Sequence, residues 1–389
     1  MAQERRVAIT GIGVMGIGTH SVAELWSLLC DVDAEPTGGP DPTFDPSTYL
    51  ARREHRRMDR FSQLAVAAAL TAWEDAGRPA ADPQRTGAIV ASTYGGMGMA
   101  EEGAVACAGE GPGAVSPLFG NAVHVGAAAV EVARRVGAGG PAYAVSATCA
   151  SGTLAVGEAA RLITSGRCEV AFAGGSESAA SPAIAASFEN LKILAAGRPR
   201  PFDLARDGFA YAEGAAILVL ESIEHAARRG ARVYGEVAGD ALLTDLSGAF
   251  APSDEARVVE AGMRRALAEA VVDVTSVAAV NAHGTGTRSN DEAEAIAVAR
   301  LWGDAVPVTA NKGALGHRGS AAGTFEIAAA LLSMRHGLLP PTAGLEHLDP
   351  SFAIDVVQGA PRPWAPGPVV KNSMGLGGFT ASLVLVPPR

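Results

Sequence analysis

The stretch Ala144-Val-Ser-Ala-Thr-Cys-Ala-Ser-Gly152 places one cysteine, Cys149, between two kinds of local structure. Residues 142–146 have the make-up of a strand. From Ser151 to Thr164 apolar side chains recur at helical spacing behind a Ser-Gly opening. Cys149 therefore falls where a helix begins, and there unpaired backbone N–H groups and the helix dipole favour a thiolate. An ordinary thiol, with a pKa near 8.5, is only a few per cent ionised at pH 7. Each unit of depression is about 1.4 kcal/mol in favour of the nucleophile. Cysteine is also a common small buried residue, so this stretch alone leaves nucleophile and packing thiol both open. Cys30, Cys107 and Cys168 lack such a turn and read as packing residues.

On either side of this stretch the alternation continues. Strands are expected at 6–10, 87–92, 142–146, 169–174, 216–221, 232–238, 277–282, 369–372 and 380–386. Helices are expected at 61–76, 122–136, 151–164, 255–270, 291–302 and 321–335. Such a pattern predicts α/β layers around a largely parallel sheet. No sequence repeat or low-complexity linker is visible. Two intimately packed halves, 1–230 and 231–389, meet at a seam near 228–232.

Composition narrows the function. With 48% hydrophobic and 19% charged residues in 389, the chain is not disordered. No apolar run approaches about 18 residues, so no membrane span is expected. Residues 1–6 lead into a strand pattern without a signal-peptide core, which predicts a cytoplasmic protein. A net charge of −10 argues against general nucleic-acid binding. Four cysteines without a CxxC pair give neither a disulfide framework nor a zinc site, and no metal is expected.

Gly11-Ile-Gly-Val-Met-Gly16 fits GxGxxG, but no second strand ending in an acidic residue follows about 20 residues later. It reads as a structural turn rather than a nucleotide site. Two of eight histidines stand in glycine-flanked loops: His283 opens His283-Gly-Thr-Gly-Thr287, and His317 lies in Asn311-Lys-Gly-Ala-Leu-Gly-His-Arg-Gly-Ser-Ala-Ala-Gly323. Both follow the strand-to-helix pattern where α/β sheets gather their active sites. Taken singly, each is as readily structural as catalytic. Lys312 is notable because the chain has only three lysines, Lys192, Lys312 and Lys371. A basic run, Arg52-Arg-Glu-His-Arg-Arg-Met-Asp-Arg60, is either a solvated face or a dock for an acidic partner.

Together, Cys149, His283, Lys312, His317 and the closing Asn372-Ser-Met-Gly-Leu-Gly-Gly-Phe-Thr380 resemble the β-ketoacyl-[acyl-carrier-protein] synthases. The resemblance runs the length of the chain, through Arg57-Met-Asp-Arg-Phe61, Ala173-Gly-Gly-Ser-Glu-Ser178, Arg200-Pro-Phe-Asp203, Arg206-Asp-Gly-Phe209 and Asn290-Asp291. It implies a thiolase-type fold, two pseudo-two-fold-related α/β halves in five αβαβα layers, and a paired dimer. It further implies an elongating ketosynthase of type II fatty-acid or polyketide synthesis, more in keeping with bacterial polyketide or polyene assembly. Cys149 would take the acyl chain, with backbone N–H groups of Cys149 and Leu376 as the oxyanion hole. His283 and His317 would stabilise the enolate left when a malonyl-type extender loses CO₂. Lys312, paired with Glu326, would orient that loop. Thr285 and Thr287 would hold the pantetheine arm, and Arg53, Arg56 and Arg57 would dock the acyl carrier protein. Substrates ride on the carrier's phosphopantetheine, and no further cofactor is expected. The chain departs from many relatives at Met374 and Leu376, where they carry Phe. Two other readings remain within the resemblance. One is a chain-length-factor type of partner subunit in a heterodimer, although those usually lack the cysteine. The other is an acyltransferase that uses Cys149 without condensation.

Overall fold

The structure, a computed structural model, describes residues 6–247 and 256–388. Residues 1–5 and Glu255, the expected first residue of a helix, lie outside the described residues. The first half contributes β1 (Val7–Met15), β2 (Thr86–Ala91), β3 (Ala142–Tyr143), β4 (Val170–Glu177) and β5 (Gly214–Ser222). They hydrogen-bond in the order β3-β2-β4-β5-β1. The second half contributes β6 (Gly235–Thr244), β7 (Ala279–Asn281), β8 (Pro307–Thr309), β9 (Leu338–Leu339), β10 (Asp355–Val356), β11 (Arg362–Pro363), β12 (Val369–Gly375) and β13 (Phe379–Val386). Its order, β8-β7-β12-β13-β6, repeats that of the first half, with β10 added beyond β8 and β9–β11 as a separate ribbon. The halves join where Val7–Ile9 of β1 pairs with Gly235–Val237 of β6.

The expected largely parallel sheet is not what forms. Strands β2, β3 and β4 pair parallel, as do β7, β8 and β12, but β4–β5, β5–β1, β12–β13, β13–β6 and β1–β6 are antiparallel. The misreading has a physical cause. Strands β1, β4 and β5 are buried on both faces, and continuous burial writes the unbroken apolar run usually associated with parallel strands.

Helices explain that burial. Arg60–Asp75 and Ala127–Val136 cover the outside of the first half, and Arg257–Glu269 and Arg288–Trp302 cover the second. Between the halves, Ser151–Thr164 packs on Ala322–His336, and each touches strands of both sides. The result is five layers, α-β-α-β-α.

Gly11 and Gly13 belong to β1 itself, so the GxGxxG run is strand as far as Met15 and only Gly16 lies beyond it. A Cβ at Gly11 would lie 2.4 Å from the Ala72 carbonyl oxygen, and one at Gly13 would lie 1.9 Å from that of Ala68. The two glycines let the Arg60–Asp75 helix lie directly on the strand. The helix expected over 122–136 is interrupted: Phe119–Val123 and Ala127–Val136 are separate. At the break the His124 ring Nδ1 accepts the Gly126 N–H at 3.0 Å. The strand expected over 142–146 pairs only at Ala142–Tyr143. Helix Met97–Glu110 was not foreseen, because it buries no residue fully and therefore shows no apolar stripe.

Candidate active site

Cys149 emerges from a strained turn. Thr148 before it adopts φ +47°, a left-handed conformation that costs about 1–3 kcal/mol in a non-glycine residue. Several hydrogen bonds hold it there. The Ser151 hydroxyl donates to the Thr148 carbonyl at 2.5 Å and accepts the Ala147 N–H at 2.7 Å. The Thr148 hydroxyl donates to the Leu376 carbonyl at 2.9 Å. Gly375 makes this approach possible, since a Cβ there would sit 2.1 Å from the Thr148 Oγ1. The helix Ser151–Thr164 follows at once.

Contact between the two central helices brings the loops together. A Cβ at Gly152 would fall 2.5 Å from the Ser320 carbonyl oxygen, and one at Gly323 would fall 2.3 Å from the Thr153 Oγ1. Glycine at both crossing points lets the starts of the two helices touch, and His317 precedes the second. Cys149, His283, His317, Thr285, Thr287 and Leu376 consequently line one cavity of about 100 Å³. Its walls are largely apolar. Phe188 packs edge-on against Phe209 and Tyr211, at 5.9 and 4.9 Å between ring centroids, and Leu376 packs against this cluster.

Both imidazoles are held from behind. The Lys312 ammonium donates to His283 Nδ1 at 3.1 Å and also to the His283 carbonyl. The Gly319 N–H donates to His317 Nδ1 at 3.2 Å. An ammonium and an amide can only donate, so each Nδ1 is an acceptor and each ring carries its proton on Nε2. The ring centroids lie 5.7 Å apart. Burial, reinforced by the charge of Lys312, holds both histidines well below the ordinary imidazole range, so both are neutral.

The thiol behaves differently from the expectation of a ready thiolate. Burial pushes Cys149 up to about 11, and the buried Glu177 carboxylate adds to the rise. Opposing this, the Lys312 charge and the backbone N–H groups of Leu376 and Cys149 favour the anion. Desolvation wins, so the resting Cys149 side chain is a protonated thiol.

Behind the cavity lies a charge cluster only partly visible in the sequence. Lys312 forms an ion pair with Glu326, and both are almost wholly buried. Lys371 pairs with the other oxygen of Glu326 at 2.9 Å. Glu294 accepts the His283 and Gly284 N–H groups at 2.7 and 2.8 Å and the Asn372 side-chain amide at 2.8 Å. Asp291 accepts the Thr285 and Gly286 N–H groups at 3.0 and 3.1 Å, shaping the threonine loop. Thr285 and Thr287 hydroxyls are 2.9 Å apart. Sequence reasoning missed Lys371 and Glu294, and the scarcity of lysine was the signal for the first. Arg53, Arg56 and Arg57 are not brought to the cavity; they are exposed on and just after a short helix, Arg52–His55. Among the described residues no group of three His, Cys, Asp or Glu side chains could hold a metal ion, and no helix is long and apolar enough to cross a membrane.

This constellation can be set beside known proteins. Residues 4–226 match the family model for the β-ketoacyl synthase N-terminal domain, and 234–346 match that for its C-terminal domain. The chain is 36% identical to a granaticin polyketide β-ketoacyl synthase 1 of Streptomyces violaceoruber, over 99% of each. It is 33% identical to the 3-oxoacyl-[acyl-carrier-protein] synthase 2 of Vibrio harveyi, over 98% of each. The solved ishigamide ketosynthase/chain length factor superposes over 100% of both chains with a TM-score of 0.92 at 30% identity. The fold is thus the thiolase type, and the chain belongs to the β-ketoacyl synthase family of condensing acyltransferases.

Proposed function

We propose that the chain condenses an acyl group held on Cys149 with a malonyl-type extender, both delivered by an acyl carrier protein, in bacterial type II polyketide or polyene synthesis. One observation carries this reading: Cys149, His283 and His317 line the same cavity, with the Nδ1 of each imidazole engaged by a donor behind it. In the first step the Cys149 sulfur bonds to the acyl carbonyl carbon and the bond to the pantetheine sulfur breaks. The thiol proton passes to the departing sulfur, since both imidazoles already hold theirs. N–H groups of Cys149 and Leu376, which donate to the resting sulfur, sit where the oxyanion develops; one such donor is worth about 3–4 kcal/mol.

In the second step malonyl loses CO₂, and the electron pair of the broken C–C bond becomes an enolate. Nε2–H groups of His283 and His317 donate to its oxygen. The enolate carbon then attacks the acyl-cysteine carbonyl, a C–C bond forms, and the Cys149 sulfur leaves and regains a proton. Thr285 and Thr287 would receive the pantetheine arm, and Arg53, Arg56 and Arg57 the acidic carrier. The reading needs no metal or further cofactor beyond the carrier's phosphopantetheine. It takes 1–230 as the half that supplies the nucleophile and 231–389 as the half that supplies both histidines. It also takes the cytoplasm as the location and a paired dimer as the working form, either with itself or with a second ketosynthase-like subunit.

Release of CO₂ from malonyl carrier protein tests the second step. Replacing His317 by Ala removes one of two enolate donors and should slow release about 100-fold or more. Undiminished release would remove His317 from the mechanism.

A further inference from the structure

Two of the three lysines in this chain are wholly buried, and they share one carboxylate. Lys312 uses all three of its N–H bonds: on His283 Nδ1, on the His283 carbonyl and on Glu326 Oε1. Lys371 sits on β12, five residues before Leu376, and its ammonium meets Glu326 Oε2 at 2.9 Å and the Asn372 carbonyl. The site where these groups meet is buried, and the balance of charge there is close. Lys312 and Lys371 supply two positive charges, and Glu326 and Glu294 supply two negative ones. His317 and Cys149 face His283 from the cavity side, the one neutral and the other protonated. Asp291, on the same helix as Glu294, is occupied with the Thr285–Gly286 backbone.

We propose that Lys371 is a positioning residue for decarboxylation: its ammonium occupies one oxygen of Glu326, leaving the other to hold Lys312 against His283, so that His283 keeps a single proton on Nε2. This rests on the reading above for its link to catalysis, but not for its effect on the imidazole. Without the second ammonium the cluster is left with one net negative charge in a buried site. That charge draws a proton, and the acceptors on hand are the freed Glu326 Oε2 and His283 Nδ1, which Lys312 now occupies. A proton on His283 Nδ1 would push Lys312 away and turn the ring into an imidazolium. In the intact cluster, burial and both lysines oppose this.

The experiment compares Lys371→Met and Lys371→Gln, which remove the charge, with Lys371→Arg, which keeps it. Two readouts are taken across about pH 5.5 to 8: CO₂ release from malonyl carrier protein, and the NMR titration of the His283 imidazole. The wild type and the Arg variant should show a flat rate and a ring that does not titrate. The neutral variants should lose rate about tenfold for each pH unit below the new His283 midpoint, with the ring titrating over the same range. Gln keeps a polar amide in place of the ammonium, so it separates loss of charge from the loss of polarity that Met adds. A His283 ring that stays neutral in folded Met or Gln variants would overturn the proposal, as would an equal loss of rate at every pH in all three. A wild type that releases no CO₂ would instead count against the proposed reaction, while the NMR titration would still decide the role of Lys371.

Discussion

Cys149 is held in two opposing environments. The start of the Ser151–Thr164 helix and the Leu376 and Cys149 N–H groups favour an anion, whereas burial and Glu177 favour the thiol. With the thiol pushed up to about 11, the neutral form dominates throughout the physiological range. Alkylation of Cys149 by iodoacetamide, followed on its own peptide, should therefore rise about tenfold per pH unit from pH 7 to 10. A plateau below pH 8 would show a thiolate already formed at rest. The sign follows from the charge type: raising the pKa of an acid that ionises to an anion delays the reactive form to higher pH. Cys149, His283 and His317 stood out in the sequence by their loop settings, but singly each was as readily structural as catalytic, and only the set taken with the closing 372–380 stretch pointed to a shared site. The height of the thiol pKa was not legible there, because desolvation comes from atoms far along the chain. Lys371 and Glu294 escaped for the same reason: their partners lie at separations of 45 and more residues or across different elements.

Among the elements, β1 and the helix Arg60–Asp75 show how a motif can mislead. Gly11-x-Gly13 has the spacing of a phosphate loop, yet its glycines serve a helix lying against a strand. Replacing Gly13 by Ala puts a Cβ 1.9 Å from the Ala68 carbonyl oxygen. Either the helix moves or the strand bends, and stability should fall by about 1–3 kcal/mol in denaturant unfolding. Gly109, inside helix Met97–Glu110, has nothing within 4 Å of its Cβ position. Gly109→Ala should instead stabilise by roughly 0.5–1 kcal/mol, because it removes only backbone freedom. Equal midpoints for the two variants would refute the packing argument. Strand direction was hidden from the sequence for a related reason. An apolar run such as Ala216–Leu220 in β5 records that both faces are covered, and it carries no record of whether the neighbours run with it or against it.

Across the whole molecule, the two halves repeat one strand order without repeating a sequence. Topology follows from where buried runs and helices fall, and many different side chains satisfy the same pattern. The repeat sets Cys149 of one half and His283 and His317 of the other on one cavity beside the central helix pair. Neither half alone holds the full set. The exposed Arg53, Arg56 and Arg57 stand out against a net charge of −10, and the proposed reaction assigns them to the acidic carrier. All of this converges on a single covalent event, acyl transfer to Cys149. The most direct measurement is the intact mass of the purified chain after exposure to a panel of acyl-carrier-protein thioesters, with Cys149→Ala alongside. The wild type is predicted to gain the mass of one acyl group and the variant none, with the donors that load defining the chain class. A folded wild type that gains no mass from any donor, or an adduct that persists in Cys149→Ala, would contradict the account.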